Sequence, residues 1–252
     1  MNMDEREGMI WVLRSRIKVI GFSVGLLILF LILQYDFTKE DTWRNWNLPL
    51  SGKIILIDPG HGGPDGGAGT EQVLEKDIAL NISLKVRDYL QEQGALVIMT
   101  RNEDKDLAES DTRGYSRRKV EDLKNRLKMI NDNDNDFFVS IHLNAIPSAR
   151  WSGAQTFYAP HFKENARASK FIQEELRVNL ENTTRKAKPI NRVYILKHAK
   201  KPGVLVEVGF LSNPTEREKL RNDSYQEKVA ASISQGIQRY FTNEAELIET
   251  DE

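Results

Sequence analysis

The fold is decided by the stretch IILIDPGHGGPDGGAGTEQVLE, residues 54–75. Its first four residues are apolar, which is typical of a buried strand. That strand ends at Pro59, because proline cannot donate to a sheet ladder, and Gly60 permits unusual backbone angles. Six glycines between Gly60 and Gly69 allow the following backbone to wind closely around something small. The stretch therefore predicts a strand and then a tight loop, with His61 at the carboxyl end of the strand.

Two kinds of ligand suit such a loop. A glycine-rich turn after a strand binds phosphate in nucleotide sites, but the stretch contains neither GxGxxG nor GxxxxGK[ST]. The imidazole of His61 and the downstream carboxylate of Glu75 favour a metal instead, since borderline cations take nitrogen and oxygen ligands. On this stretch alone, a solvent-facing histidine stays an open alternative.

Composition narrows the classes of function. The 252 residues suffice for one domain with extensions, and 36 basic residues nearly balance 37 acidic ones. This balance argues against a nucleic-acid partner, which would favour a basic excess. The chain has no cysteine and four histidines, so a metal must be bound by histidine and carboxylate. Of these histidines, His161 and His198 are expected to be surface or packing residues, because neither lies in a motif.

An apolar run near the N-terminus follows Arg14, Arg16 and Lys18. Positive charge before such a run predicts that the N-terminus stays in the cytoplasm and that the rest lies outside it. No small-residue cleavage site follows, which favours an uncleaved anchor over a cleaved signal peptide. The sequence therefore predicts five segments: a cytoplasmic N-terminus (1–18), a signal anchor or signal peptide (19–35), a linker (36–51), a globular domain (52–242) and an acidic flexible tail (243–252).

Apolar strands alternate with amphipathic helices through the predicted domain. Such alternation predicts an α/β fold with a mainly parallel sheet and helices on both faces. Ligands of such sheets lie at the carboxyl ends of the strands, where His61 and His142 are both expected. Ser212 or Asn213, ahead of Pro214, and Asp223 are expected to cap the last two helices. Five strands are predicted after the first, over residues 95–100, 137–141, 154–159, 193–196 and 204–208.

The carboxylate of Glu207 interrupts the apolar run Val204–Val208. Burying a carboxylate is costly unless it is paired or bound. In one interpretation the strand lies at a sheet edge, and Glu207 faces water while its neighbours point inward. In the other, Glu207 lies beside the histidines at the functional edge. The residues themselves leave both interpretations open.

Four motifs together resemble the zinc-dependent N-acetylmuramoyl-L-alanine amidases of the amidase-3 family. The resemblance covers residues 53–241 and implies a single catalytic domain with a six-stranded sheet. It implies that His61, Glu75 and His142 bind Zn²⁺ and that Glu207 is the catalytic carboxylate. Leu143 departs from the small residue that is usual at its position. The motifs are DPGHGG (58–63), Glu75, SIHLNA (140–145) and EVGFLSN (207–213).

The implied reaction is hydrolysis of the amide between the lactyl group of N-acetylmuramic acid and L-alanine in peptidoglycan. Three protein ligands leave Zn²⁺ a position for water, whose pKa the metal lowers toward about 7. We expect Glu207 to take the proton of that zinc-bound water and pass it to the leaving amine. Asp58 and Asn144 are candidates to orient the ligands, or they only cap turns. Arg101, Arg117 and Arg126 are expected to be salt-bridge partners rather than substrate binders.

Within the family, residues 151–155 and 182–188 are similar to the germination-specific amidases of spore-forming bacteria. This implies spore-cortex peptidoglycan as substrate, on a route to muramic δ-lactam that a polysaccharide deacetylase completes. The basic segment 185–188 is expected to be a solvated loop or to face an anionic polymer. No wall-binding repeat is visible, so the anchor or an accessory activator protein is expected to give access to substrate. Two alternatives stay open: a zinc peptidase that cuts the stem peptide, and a non-catalytic wall-binding or activator protein.

Overall fold

The computed structural model describes residues 16–31, 48–70 and 72–243. Residues 16–31 form helix α1, and the chain from Pro49 onward forms a compact unit of its own. Among the described residues, none of the helices combines the length and the apolar character that a membrane span needs. The predicted cytoplasmic N-terminus, linker and acidic tail fall wholly or largely outside the described residues. These segments and the predicted anchor therefore stay predictions.

A six-stranded sheet forms the centre of the domain. Its strands are β1 (Ile54–Pro59), β4 (Leu96–Met99), β5 (Phe137–Asn144), β6 (Gln155–Tyr158), β7 (Lys188–Pro189) and β8 (Gly203–Phe210). They lie in the order β4-β1-β5-β8-β6-β7, and only the β6–β8 pairing is antiparallel. A separate hairpin joins β2 (Gly69–Thr70) to β3 (Val73–Leu74). The prediction of a mainly parallel, six-stranded sheet is confirmed.

Helices cover both faces of this sheet, as the alternating pattern predicts. One face packs Ile57, Val139 and Val206 into the larger apolar core, and the other packs Leu56, Phe138 and Leu205 into a smaller one. Alternation along each strand sends successive side chains to opposite faces, so central strands carry continuous apolar runs. The helices are α2 (Glu75–Glu92), α3 (Tyr115–Asp132), α4 (Lys163–Leu180), α5 (Tyr194–His198), α6 (Pro214–Arg221) and α7 (Asp223–Phe241).

The strand predicted over residues 193–196 is wrong, because this segment begins helix α5. Ile195 and Leu196 are neighbours in sequence, yet both are buried in the smaller core. Consecutive strand residues would point to opposite faces, whereas one helical turn can present both to the same core. The sixth strand is instead β7, whose two residues are exposed. It carries no apolar run from which it could have been predicted.

The caps of the last two helices agree with prediction in one case only. Asn213 caps α6 by accepting a hydrogen bond from the Glu216 N–H at 3.1 Å. Helix α7 is capped by Asn222, which accepts from the Tyr225 N–H at 3.1 Å. The predicted cap, Asp223, is the first helical residue. Its carboxylate there still complements the positive end of the helix dipole.

Candidate functional site

Three predicted ligands meet at the carboxyl edge of the parallel strands. His61 lies in the loop after β1, Glu75 is the first residue of α2, and His142 lies near the end of β5. Each offers one ligand atom, and these atoms all lie within 4.8 Å of one another. The ring centroids of His61 and His142 are 5.1 Å apart, and the rings meet edge to face. The fold therefore joins residues that are up to 81 positions apart in sequence, which supports the predicted metal site.

Glu75 occupies the centre of this group. Its side chain accepts hydrogen bonds from the backbone N–H groups of Ala68 and Leu143, both at 2.9 Å. Its oxygens also lie 3.2 Å from His61 Nε2 and 3.0 Å from His142 Nδ1. Burial raises the pKa of Glu75, but the bonds to His142 and His61 outweigh it and hold that pKa well below its usual range. Glu75 is therefore a buried anion, a suitable ligand for a cation.

His61 is oriented by Asp65, which the sequence did not single out. His61 Nδ1 lies 2.9 Å from Asp65 Oδ2, and Asp65 also accepts from the Gly67 N–H, the Tyr115 hydroxyl and the Lys119 ammonium. Burial raises the pKa of Asp65, but the hydrogen bonds to His61 and Lys119 lower it by more than burial raises it. The carboxylate is therefore ionised and can only accept hydrogen bonds. Nδ1 therefore carries a proton, and Nε2 is the nitrogen left for a metal. Such a carboxylate–histidine pair is a common support of metal ligands.

The backbone of His61 is strained, and its imidazole holds a proton strongly. Its φ of 59° lies in the left-handed region, which non-glycine residues occupy rarely, and backbone strain of this kind clusters at functional sites. Burial opposes protonation, but the hydrogen bonds to Asp65 and Glu75 outweigh it and raise the pKa of His61 to about 9. A cation that binds here must displace this proton.

Two glycines let the loop backbone press against the ligands. A Cβ at Gly60 would lie 2.4 Å from His142 Cε1, and one at Gly67 would lie 2.6 Å from Glu75 Oε2. Gly67 also has a φ of 68°, which other residues rarely adopt. This confirms the prediction that the glycine-rich loop winds closely around the site.

Two buried arginines fix the same loop from the side of the sheet. Arg126 donates to Asp58 at 2.8 Å, to the carbonyl of Pro59 at 2.6 Å and to the carbonyl of His61. Arg101 donates to the carbonyls of Pro59 at 3.1 Å and Gly60 at 2.7 Å. Each of these arginine residues is only 1% exposed. Arg126 forms the salt bridges expected of it, with Asp58 and Asp122, whereas within the described part of the chain Arg101 donates only to backbone carbonyls and Arg117 forms no ion pair. No sequence pattern indicated that Arg101 and Arg126 shape the ligand loop.

The predicted orienting residues act less directly. Asp58 accepts from Thr100 Oγ1 at 2.8 Å and Ser140 Oγ at 2.7 Å, and it reaches the ligand loop through Arg126. Burial raises the pKa of Asp58, but Arg126 and Ser140 lower it below its ordinary value. The backbone carbonyl of Asn144 accepts the Leu211 N–H, and among the described residues its side chain makes no hydrogen bond. Asp65 supplies the direct contact that was expected of these two residues.

Glu207 lies inside the sheet, beside the ligands. It pairs with His142 of β5 on one side and with Gln155 of β6 on the other, so the edge-strand interpretation is wrong. Its Oε2 is buried and, within the part of the chain that the structure describes, has no hydrogen-bond partner. Burial, with the nearby charge of Glu75, raises the pKa of Glu207 to about 7, against the opposing charges of His142 and His61. Such a carboxyl group can accept and release a proton near neutral pH.

The donor atoms fit a divalent cation such as Zn²⁺. Two imidazole nitrogens and one carboxylate oxygen form a set that catalytic zinc sites use, and three ligands leave one position open. The other two histidines lie elsewhere, as expected. His161 Nε2 is 3.2 Å from the carbonyl of Ala199, and His198 packs on Tyr194 with ring centroids 4.9 Å apart.

Comparison with known proteins identifies the relatives of this fold and site. The family described as N-acetylmuramoyl-L-alanine amidase matches residues 55–239. The chain is 56% identical over 234 residues to the germination-specific N-acetylmuramoyl-L-alanine amidase of Bacillus subtilis (strain 168), across 93% of this chain and 99% of the relative. It is 33% identical over 195 residues to the amidase LytC of the same organism, across 77% of this chain and 36% of that one.

A solved structure agrees with these sequence relatives. The CwlD amidase from Clostridioides difficile, solved in complex with the GerS lipoprotein, superposes with a TM-score of 0.72 at 42% identity. The match covers 75% of this chain and 98% of that one. Together with the family match over residues 55–239, these similarities show that the chain belongs to the amidase-3 family of N-acetylmuramoyl-L-alanine amidases, enzymes that act on peptidoglycan.

Proposed function

We propose that the chain hydrolyses the amide between the lactyl group of N-acetylmuramic acid and L-alanine, with Zn²⁺ held by His61, Glu75 and His142. One observation carries the proposal. The three donor groups converge within 4.8 Å, next to the buried Oε2 of Glu207, which has no hydrogen-bond partner among the residues that the structure describes. A metal site with an adjacent carboxyl group of pKa about 7 is suited to amide hydrolysis at neutral pH by an activated water.

Zinc, when bound, would supply Lewis-acid polarisation of the scissile carbonyl and would acidify water. The remaining work belongs to the side chains of the protein. Glu207 Oε2 accepts the proton of the attacking water and returns it to the amine nitrogen of L-alanine as the amide breaks. Asp65 holds the proton of His61 on Nδ1, which keeps Nε2 available as a ligand. The buried guanidinium groups of Arg101 and Arg126 keep the ligand loop in position throughout.

The substrate proposed for this chain is spore-cortex peptidoglycan. The similarity to a germination-specific amidase over 93% of the chain supports this choice. The product would be a muramic acid without its stem peptide, on a route to muramic δ-lactam. A polysaccharide deacetylase is proposed to act after this enzyme, because lactam formation needs the free amine that deacetylation exposes.

The site of action and the partner are proposed on similar grounds. Peptidoglycan lies outside the cytoplasm, so the domain is expected to be extracytoplasmic. The apolar side chains of helix α1 are exposed, which supports attachment to a membrane, either as an anchor or before cleavage of a signal peptide. The structure of the C. difficile amidase with a lipoprotein supports an accessory protein as a partner of this chain.

Mass spectrometry of digested peptidoglycan tests the reaction. The purified protein with one equivalent of zinc should release whole stem peptides that begin with L-alanine, and metal-free protein should release none. Stem peptides cut internally would instead identify a zinc peptidase. Intact peptidoglycan that is bound but not cleaved would identify a non-catalytic wall-binding or activator protein.

A further inference from the structure

The basic segment Arg185–Lys188 lies along the same edge of the sheet as the candidate site. Gln155 is the β6 partner of Glu207, and its side-chain amide donates to the carbonyl of Lys186 at 3.0 Å. Arg185 Nη1 donates to the carbonyls of Ser152 at 2.6 Å and Gly153 at 2.7 Å, just before β6 begins. The segment therefore lies beside Glu207, on the opposite side of β5 and β8 from the His61 loop in the strand order, and we call these two flanks of the site the walls of its cleft.

Arg185 is held in one orientation by this wall. Its guanidinium carbon lies 5.1 Å from the ring centroid of Phe210 and 5.8 Å from that of Trp151. Stacking on aromatic rings orders the planar guanidinium, which binds carboxylates as a two-pronged fork. Nη1 is occupied by two carbonyls, whereas Nε and Nη2 have no acceptor among the described residues. A preorganised donor edge is therefore available to an anion.

A bulge in β8 brings this arginine to the same face as Glu207. His142 pairs with Glu207, but Asn144 pairs with Phe210, so β8 contains one extra residue between the two pairs. Residues two apart on β5 point to one face, and in-register partners share a face. Phe210 therefore lies on the face of Glu207 despite the odd spacing. Along the strands, Phe210 and Glu207 are separated by about 7 Å, the rise of two strand residues.

The charge of the two walls differs. The segment Arg185–Lys188 carries three Lys or Arg residues and no Asp or Glu, and the nearby Glu216 carboxylate, whose charge interacts with Arg185, already accepts the Gly153 and Phe210 N–H groups. Residues 101–112, which border the His61 loop, carry five acidic and two basic residues. Trp151 is 49% exposed beside Arg185, a large aromatic surface at the rim of the basic wall. An acidic ligand would be favoured on the Arg185 side of the cleft and disfavoured on the other.

We propose that Arg185 binds a carboxylate of the peptidoglycan stem peptide, with Trp151 packing against the same part of the substrate. This inference rests on the proposed amidase function and adds the direction in which the substrate lies. The acidic stem, which leaves with the amine, lies along the β6 side, and the muramoyl group lies toward the His61 loop. Arg185 acts as a specificity residue and takes no part in bond cleavage.

The test compares two synthetic N-acetylmuramoyl peptides that differ only in the residue after L-alanine, which carries either a free carboxylate or a carboxamide. Wild-type protein should prefer the carboxylate by about tenfold to a hundredfold in kcat/KM, mainly through KM, as expected for one charge-assisted fork. Arg185→Gln should remove this preference, and Arg185→Lys should restore only part of it. Arg192→Gln, which removes one exposed charge four residues after this segment, should leave the preference unchanged.

A purely structural role for Arg185 would lower activity equally on both substrates and leave the preference intact, and that result would overturn the inference. If Arg185→Gln fails to fold, Trp151→Ala serves instead, because Trp151 is exposed and should weaken the preference severalfold; an unchanged preference in that variant would overturn it too. Wild-type protein that cleaves neither substrate would overturn the proposed function and with it this inference. Cleavage of both at equal rates would overturn the inference alone.

Discussion

The two walls of the cleft are organised in opposite ways. On the β1 side, the ligand loop is fixed by hydrogen bonds with Asp65, Arg101 and Arg126. On the β8 side, and within the described part of the chain, Glu207 has a buried oxygen without a hydrogen-bond partner, and Arg185 has two donor nitrogens, Nε and Nη2, without an acceptor. A metal ligand must not move, whereas a general base and a substrate-binding group must be free to exchange partners. The β1 wall therefore fixes the metal ligands, and the β8 wall carries the groups that exchange partners during the reaction.

Changing Glu207 to Gln tests the β8 wall and should have the largest effect of the variants, a loss of catalytic rate. The substitution keeps the shape of the side chain but removes its capacity to accept a proton. We expect kcat to fall by about 10²- to 10⁴-fold, the usual contribution of a general base. Zinc content, measured by atomic absorption, should not change, since Glu207 is not among the converging ligands. Undiminished turnover would rule out the proton transfer proposed for this residue.

The β1 wall is tested by Arg126→Met. Removing this buried guanidinium leaves Asp58 and Asp122 without their ion-pair partner and frees the carbonyls of Pro59 and His61. We expect a loss of about 3–5 kcal/mol in the free energy of unfolding, as is typical when one partner of a buried pair is removed. Urea denaturation measures it. Arg117→Met, an exposed position on the same helix, is the matched control and should change stability by less than about 0.5 kcal/mol.

A smaller change to the same wall is Asp65→Asn. The amide removes the charge that fixes the His61 tautomer, so zinc affinity should fall by about tenfold to a hundredfold. Competition with a chromogenic chelator measures this affinity. Asp104→Asn is the control, because Asp104 accepts the Gly63 N–H in the same loop without touching a ligand. Equal losses in both variants would show that general loop stability, rather than the Asp65–His61 bond, sets the affinity.

The pH dependence of zinc binding provides the mildest test. His61, with a pKa of about 9, must lose a proton to bind zinc. Because one proton is released, the apparent affinity for zinc should rise about tenfold between pH 7 and 8. The stability of the zinc-free protein depends on pH in the opposite direction and should fall as the pH rises. The folded pKa exceeds the ordinary value of 6.5, so the protonated imidazole stabilises the fold fully below pH 6.5, and this contribution is lost as the pH rises through about 9. A zinc-free protein that gains stability over this range would contradict the assignment.

The sequence predicted the parts of the fold that are encoded by apolar runs. Strands β1, β5 and β8 are such runs, and their parallel arrangement brings His61 and His142 to one edge. Strand β7 could not be predicted, since two exposed residues, Lys188 and Pro189, owe their strand geometry to the neighbouring β6. Glu207 was ambiguous for a related reason. Whether its strand lies at an edge depends on β6, which joins it from a different part of the chain.

Side-chain hydrogen bonds that depend on loop conformation or tertiary structure were harder to predict. Asp65 supports His61 only because the left-handed backbone of His61 turns the loop back on itself, which no local pattern encodes. The buried position of Arg126, in contrast, could have been recognised from the sequence. It lies four residues before Ile130 and three after Leu123, on the apolar side of α3, where a charged residue must find buried partners. The basic segment at 185–188 was recognised, but its place next to Glu207 depends on tertiary structure.

The single extra residue in β8 has a consequence for how such an enzyme diversifies. It lies after Glu207, for which proton transfer is proposed, and before Phe210, on which Arg185 stacks. Loss of that residue would turn this stacked pair to the opposite side of the sheet and leave the metal ligands in place. Substrate preference can therefore drift through short insertions and deletions, while the hydrolytic chemistry is inherited unchanged.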